Sequence, residues 1–242
     1  MPDIIDLLNN LNIDDYNASS NKYQNDNHIP VPRVTEILSR MIHSDTLMYW
    51  ANSLGFKRLK YRDVLNKAAS IGTEAHNAIE KFLKDKLKTE DNVPFLGFLN
   101  WYTDLSTSGV QVEAIYIEKT LICEWFGGTL DALLKIDGKT YLVDFKTSNH
   151  VTFTYFLQLA AYNFMLKKIG VNIDGVLVLQ LNKNYPSYTE YILDFSVYDH
   201  ITFFVNCEQT FLSLVYSYYH IYNVEKNFDV LFKETNKYGN TA

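Results

Sequence analysis

The sequence is poor in cysteine and has no long apolar run. Its 242 residues include two cysteines, Cys123 and Cys207, too few for a disulfide framework or for an iron-sulfur cluster held by four thiolates. Apolar residues never continue for the roughly 18 positions that a membrane helix needs. The first residues carry Asp3 and Asp6 in place of a basic signal region. We therefore expect a cytoplasmic protein with reduced thiols and no membrane partner.

Motifs of several common enzyme classes are also missing. The sequence G-K-T begins at Gly138, but Leu133 stands where the first glycine of an ATP-binding loop belongs. Neither H-E-x-x-H nor G-x-S-x-G occurs, so nothing supports a zinc protease or a serine hydrolase. No linker rich in proline, glycine and serine interrupts the middle of the chain, and 47% of the residues are hydrophobic. We expect a single domain, 1–242, without an ATP site.

Positive charge is scarce overall and concentrated in one stretch. The formal net charge is -6, which argues against a polyanionic partner because nucleic-acid binding usually leaves a basic footprint. Between Lys57 and Lys88, however, nine basic residues stand against four acidic ones, so this stretch carries +5 and the remainder -11. The stretch is either a solvated helix face or a path for a negatively charged partner.

Hydrophobic periodicity indicates a mainly helical N-terminal part, 1–109. A polar stretch from Asp14 to His28 interrupts it and is predicted to be a mobile loop. Helices are predicted at 3–13, from Val34 to Met41, from an N-cap at Ser44 or Asp45 to Gly55, at 61–87 as one helix or as two divided at Gly72, and from Pro94 onward.

Period-two alternation indicates strands in the remaining part, 110–242. Strands are predicted at 110–122, 127–136, 140–147, 175–181 and 188–195, with a crossover helix at 154–168 and a closing C-terminal helix at 198–222. A hairpin followed by a crossover helix and further strands predicts an α/β or α+β fold, with a mixed central sheet flanked by helices.

One hairpin of this sheet places charged groups together. Asp144 and Lys146 alternate on one strand and therefore share a face. Asp137-Gly138 is a hairpin turn signal, and the turn brings Asp131 nearly opposite Asp144. Two adjacent carboxylates repel unless a positive charge lies between them, and Mg²⁺ or Mn²⁺ suits that place. An exposed cross-strand ion pair explains Asp144 and Lys146 equally well.

Three further polar sites stand among apolar neighbours. His76 and Glu80 are four residues apart on one helix face, as are Gln158 and Tyr162 on another. Taken alone, the histidine reads as a structural residue at the margin of a core, and the glutamine and tyrosine as groups hydrogen-bonded within one. Glu113 is a strand carboxylate, and exposure on the outer face of the sheet would account for it.

The ordered combination of these pieces resembles a known family. The sequence has G-T-x-x-H-x-x-I-E, then a strand glutamate, G-G-T-x-D, D-F-K-T and Q-L-A-A-Y. This order is similar to the PD-(D/E)XK nuclease superfamily, and most of all to its RecB-like exonuclease branch, which includes phage exonucleases and the mitochondrial genome maintenance exonuclease. The resemblance spans 31–162 and implies a restriction-endonuclease-like core. Leu130 stands where the superfamily name has proline, which the RecB-like branch commonly lacks.

The resemblance implies one or two bound Mg²⁺ or Mn²⁺ ions. It implies that His76, Asp131 and Asp144 bind the metal, with the backbone carbonyl of Phe145 as a further ligand. Glu113 matches the strand glutamate that assists metal binding directly or through water. The iron-sulfur cluster of some relatives is not expected, because two cysteines cannot provide four thiolates.

The resemblance also implies roles for residues beyond the metal ligands. Lys146 matches the lysine that orients or helps deprotonate the attacking water and offsets charge at the phosphorane. Gln158 and Tyr162 match a helix motif that shapes the site and contacts substrate. Thr147 and Thr73 are candidates for phosphate contacts.

The function that follows is hydrolysis of DNA by a metal-dependent exonuclease acting on ends or single strands. Lys57, Arg58 and Lys60 would guide the strand, with aromatic side chains stacking on unpaired bases. Two alternatives stay open: a structure-specific or nicking endonuclease, and a non-catalytic module that binds DNA within a recombination, replication or packaging complex. A small nuclease rich in Asn, Tyr, Ile and Lys suits an AT-rich bacterium or a phage, whose products act in the host cytoplasm.

Overall fold

The computed structural model describes residues 3–13, 16, 23–42, 45–88 and 92–233. Over these residues the chain forms helices around one five-stranded sheet, together with a two-stranded ribbon. The helices are α1 Ile4–Asn9, α2 Val34–Met41, α3 Asp45–Phe56, α4 Tyr61–Asp85, α5 Val93–Thr107, α6 Phe153–Lys168 and α7 Tyr198–Lys233. The strands are β1 Tyr23–Gln24, β2 Pro30–Val31, β3 Val112–Ile122, β4 Gly127–Ile136, β5 Lys139–Lys146, β6 Gly175–Leu181 and β7 Tyr188–Asp194.

The main sheet is mixed, with its strands in chain order from β3 to β7. Strands β3, β4 and β5 form an antiparallel meander, β5 and β6 are parallel, and β7 returns antiparallel. The parallel pair needs a crossover, which α6 supplies. The hairpin between β4 and β5 turns at Asp137 and Gly138, both with positive φ (49° and 82°), as a type I′ turn requires. The predicted mixed sheet flanked by helices is confirmed.

Apolar side chains bury both faces of the sheet. On one face Phe82 of α4 and Phe98 of α5 pack in a cluster with Val143 of β5. On the other face α6 and α7 pack in a second cluster that includes Leu142 of β5 and Phe211 of α7. Because successive strand residues point to opposite faces, β5 contributes to both clusters. The strand bearing Asp144 and Lys146 is therefore held between two helical layers.

Several predicted elements differ from the structure in extent. Helix α4 runs through Gly72 without a break, so the two-helix alternative is wrong, and α7 continues well beyond residue 222. Part of the stretch predicted as a mobile loop is ordered, because Tyr23 is buried and belongs to β1. Residues 14–15 and 17–22 of that stretch, and the N-cap alternative Ser44, lie outside the described residues. None of the described helices has the length and apolar content to cross a membrane.

Candidate metal centre

The strands β4 and β5 separate where the candidate residues lie. Their ladder runs from Ile136 opposite Lys139 to Ala132 opposite Val143 and ends there, although both strands continue. The N–H and C=O of one strand residue point to the same side, so both backbone groups of Phe145 face the gap that the strands leave. Buried backbone groups need partners. Here side chains, and not a neighbouring strand, supply them.

Asp131 and His76 satisfy the backbone of Phe145. The amide N–H of Phe145 donates to Asp131 Oδ2 at 2.8 Å, and Nε2 of His76 lies 2.9 Å from the Phe145 carbonyl oxygen. A carbonyl can only accept, so Nε2 carries the proton, and in the neutral ring Nδ1 keeps a lone pair. That Nδ1 lies 3.6 Å from Asp131 Oδ2. A lone pair facing a carboxylate is unfavourable unless a positive charge lies between them.

Glu118 completes a group with these two residues. One ligand atom from each of His76, Glu118 and Asp131 lies within 4.8 Å of the other two. The β3–β4 ladder pairs Ile117 with Ala132 and Lys119 with Leu130, which brings Glu118 directly opposite Asp131. Glu118 has a φ of 49°, a left-handed conformation that costs a non-glycine residue roughly 1 to 2 kcal/mol. Strain of this kind concentrates at functional sites.

The charges in this group are unfavourable without a cation. Burial, reinforced by the carboxylates of Asp131 and Glu80, raises the pKa of Glu118 from 4.5 to about 7. Positive charge on His76 or Lys84 acts in the opposite direction on this pKa, but it does not outweigh burial and the two carboxylates. A divalent ion would remove the repulsion and hold both carboxylates in their ionised form.

Asp144 and Lys146 lie beside this group as an ion pair whose carboxylate is buried and whose ammonium group is partly exposed. The ammonium Nζ of Lys146 donates to Asp144 Oδ1 at 2.9 Å and lies 2.8 Å from Oδ2. Exposure of the two side chains is 19% for the lysine and 2% for the aspartate. Nζ also lies 4.8 Å from the centre of the Tyr155 ring, a cation–π contact. The exposed ion pair considered from the sequence is therefore not what the structure shows.

Burial and neighbouring charges act differently on the pKa values of the two groups in this ion pair. Burial raises the pKa of Asp144 to about 6; the carboxylate of Asp131 adds to this rise and Lys146 opposes it. Burial lowers the pKa of Lys146, but the carboxylates of Asp144 and Asp131 outweigh it and the net shift is upward. Lys146 is therefore a cation at neutral pH in the metal-free protein, which suits stabilisation of negative charge more than removal of a proton from water.

Helix α6 supplies the polar contacts around the pair. Gln158 accepts from Lys146 Nζ at 3.3 Å through Oε1, and its amide nitrogen lies 3.3 Å from both Asp144 Oδ1 and the Tyr162 hydroxyl. Tyr162 packs against β4 at Gly128, where a Cβ would lie 2.6 Å from Cε1 of the ring. The second glycine of the G-G-T sequence is therefore needed for close approach of the tyrosine.

The other residues predicted to contact the substrate lie on α4, just after β5 and in the connection between α3 and α4. Thr147 approaches α4, since a Cβ at Gly72 would lie 3.3 Å from its Oγ1, and Thr73 is exposed on the same helix. The three basic residues predicted to guide a strand are exposed at the connection between α3 and α4: Lys57, Arg58 and Lys60.

Glu113, predicted to assist metal binding, lies outside this group. It is exposed and pairs with Lys135 across the ladder, four residues along β4 from Asp131. Between Glu113 and Glu118 the pairing register of β3 with β4 shifts by one residue, at Ala114 to Tyr116. Glu118 could have been found by counting residues from the β3–β4 turn, where Ile122 pairs with Gly127. Four residues back along β3 and four forward along β4 place Glu118 opposite Asp131.

The residues present fit a divalent metal ion. Carboxylate oxygens and an imidazole nitrogen are ligands that Mn²⁺ accepts, and carboxylates suit Mg²⁺. Asp144 Oδ2 is buried, and its contact among the described residues is the ion pair with Lys146 Nζ at 2.8 Å. The Phe145 carbonyl adds a neutral oxygen at the same place.

Comparison with known proteins finds similarity in three-dimensional structure. No protein-family model and no curated protein matches the sequence. The crystal structure of SSO0001 aligns with 87% of this chain and 82% of its own, at 13% identity and a TM-score of 0.37. That of a phage related exonuclease from Haemophilus somnus 129PT aligns with 81% and 96%, at 12% identity and a TM-score of 0.35. Both similarities are distant, and the chemistry has to be inferred from the residues themselves.

Proposed function

We propose that this protein is a metal-dependent DNA nuclease that acts as an exonuclease on ends or single strands. The observation that carries the proposal is the gap between β4 and β5, where His76, Glu118 and Asp131 form a ligand group beside the Asp144–Lys146 ion pair. The preference for ends and for DNA comes from the order of the sequence motifs.

In this proposal the carboxylates and His76 hold one or two Mg²⁺ or Mn²⁺ ions. The ligands would be Asp131, Glu118, Asp144, His76 and the Phe145 carbonyl. A metal ion bound there supplies an acidified water and neutralises the charge of the phosphate. Glu118 takes the role that the resemblance gave to Glu113, because Glu118 lies with the other ligands.

Lys146 stabilises charge on the phosphate that is being cleaved. Its ammonium is positioned by Asp144, Gln158 and the Tyr155 ring, so little reorganisation is needed as negative charge develops. Gln158 and Tyr162 fix the lysine and shape the wall of the site. DNA is thus the proposed partner, and proteins of recombination or replication would deliver it.

Labelled DNA tests the proposal. Wild type and the variants Lys146→Ala and Lys146→Gln are incubated with 5′-labelled and 3′-labelled linear DNA, single and double stranded, and with closed circles, in Mg²⁺, Mn²⁺ or EDTA. Lys135→Met, at the far end of β4, is the matched control for loss of a lysine. Wild type and the control should degrade linear DNA in the presence of metal, and the Lys146 variants should not.

The circles separate the alternatives. Cleavage of circles would replace the exonuclease by an endonuclease. Binding of DNA without cleavage of any DNA, or of matched RNA, would refute the nuclease and favour a module that binds DNA. Cleavage that persists in EDTA, or in Lys146→Ala, would contradict the assignment of the centre.

A further inference from the structure

A polar cleft opens beside the candidate metal centre, where the parallel strands β5 and β6 end. Its volume is about 250 Å³. Ser148, just beyond β5, forms one wall, and the β6–β7 connection, 182–187, forms another. Gln180 of β6 is the ladder partner of Lys146 and also lines the cleft. The cleft therefore begins one strand away from Lys146, a spacing of about 5 Å.

The lining of the cleft offers hydrogen-bonding groups and no negative charge. Every lining residue carries a hydroxyl, an amide or an ammonium group, and none carries a carboxylate. The cation is Lys183, which is half-buried and has no ion pair with any carboxylate in the described part of the chain. An acidic group does contact the lining from α5: Asp104 accepts from the Tyr188 hydroxyl at 2.8 Å. In a chain of net charge -6, such a lining favours a ligand that is negatively charged and also carries hydrogen-bonding groups.

The β6–β7 connection is held in place before any ligand arrives. Asn182 Oδ1 accepts from the backbone N–H groups of Asn184 and Tyr185 at 2.8 and 3.2 Å. Helix α5 holds the far side, since Asn100 donates to the Pro186 carbonyl at 2.6 Å. These contacts leave the Nδ2 group of Asn182 without a hydrogen bond to any residue that the structure describes. A rim fixed in this way binds with a smaller loss of conformational entropy.

We propose that this cleft binds the unpaired nucleotide next to the phosphate that is cleaved. Lys183 contacts its phosphate, while the amides and hydroxyls, including Asn182 and Thr189, contact the base edges and the sugar. The nucleotide must be unpaired because a base inside a duplex cannot enter a cleft without leaving the stack. The inference rests on the proposed nuclease function and deepens it: the substrate is a strand that is single at the site of cleavage.

Fluorescence anisotropy with labelled DNA tests the cleft separately from catalysis. A single strand, a blunt duplex and a duplex with an unpaired tail are titrated in Ca²⁺, and cleavage of the same DNAs is measured in Mg²⁺. The variants are Lys183→Met, which removes the cation, and Thr189→Val, which keeps the side-chain shape. Lys135→Met is the control that loses one positive charge near the β4–β5 turn, away from the end of β5 and β6 where the cleft lies.

Lys183→Met should weaken binding of the single strand and the tailed duplex about tenfold, the loss of one charged hydrogen bond. It should leave the blunt duplex nearly unchanged and reduce the dependence of log Kd on log salt by about one. Thr189→Val should weaken the same two DNAs less, and Lys135→Met should match wild type.

Two other outcomes separate the cleft from the nuclease. If both cleft variants bind the single strand like wild type, the cleft proposal is overturned, and cleavage by the same preparations still decides the nuclease. If binding depends on Lys183 but wild type cleaves nothing in Mg²⁺, the cleft is supported and the nuclease is refuted.

Discussion

Replacing Glu118 by glutamine should stabilise the metal-free protein and weaken its response to metal. Burial and the carboxylates of Asp131 and Glu80 raise the Glu118 pKa from 4.5 to about 7. At about 1.4 kcal/mol per pKa unit, ionising Glu118 costs the folded state about 3.5 kcal/mol. Screening at this half-buried position reduces the figure to between about 1.5 and 3 kcal/mol.

The sign follows from linkage. Because the folded pKa lies above the unfolded value, Glu118 destabilises the fold increasingly as pH rises from about 4.5 to about 7, and fully above that. At pH 8 without metal, Glu118→Gln should therefore unfold at a temperature roughly 3 to 10 °C higher than wild type. At pH 5 the difference should largely disappear, since the wild-type carboxyl is then mostly protonated.

Bound metal should reverse the stability advantage of Glu118→Gln over wild type. A ligand that binds the folded state alone stabilises it according to its affinity. Loss of one carboxylate ligand should lower that affinity by at least about tenfold, which removes about 1.4 kcal/mol of the gain. Thermal unfolding of wild type, Glu118→Gln and Glu113→Gln, with and without Mn²⁺, measures both effects. Glu113→Gln is the matched control, because its carboxylate lies outside the ligand group.

Either of two results would refute this reasoning. If metal-free Glu118→Gln is no more stable than wild type at pH 8, the repulsion inferred from burial and charge is absent. If Glu113→Gln loses the same metal response as Glu118→Gln, the ligand group has been assigned to the wrong glutamate.

Three more predictions concern the same site. Lys146→Ala should lower kcat by about 10²- to 10³-fold, as loss of an electrostatic stabiliser does. Lys146→Arg should not restore it, because a planar guanidinium does not fit the place of a compact ammonium. Full activity in either variant, measured on labelled linear DNA, would contradict the role of Lys146. Gly128→Ala should destabilise the protein by about 1 to 3 kcal/mol, since the added Cβ meets the Tyr162 ring. Gly55→Ala, in α3 with open space around it, should be neutral or stabilising. Denaturant unfolding compares the two variants, and equal effects would argue against the close approach of Tyr162 to Gly128. The apparent affinity for Mn²⁺, measured by calorimetry, should rise between pH 6 and 8. The carboxyls of Glu118 and Asp144 have pKa values of about 7 and about 6 and must lose their protons to bind metal. An affinity that does not change with pH would exclude these two residues as ligands.

The sequence by itself determined the strands and their faces. Alternation along 127–136 and 140–147, with Asp137-Gly138 between them, predicted the β4–β5 hairpin and a position of Asp131 nearly opposite Asp144, which lies just beyond the last ladder pair of Ala132 and Val143. Local patterns suffice there because a two-residue turn sets the register. The apolar surface of α6 likewise predicted a buried helix, whereas its place beside the site came from the resemblance.

The tertiary structure alone decided which groups meet across the gap. The register of the β3–β4 ladder, which shifts by one residue between Ala114 and Tyr116, brings Glu118 opposite Asp131 and leaves Glu113 opposite Lys135. The contact of His76 with the Phe145 carbonyl joins residues 69 positions apart. A backbone irregularity and long-range packing of this kind depend on the whole fold, because the energy that holds Glu118 in its strained conformation comes from the layers around the sheet.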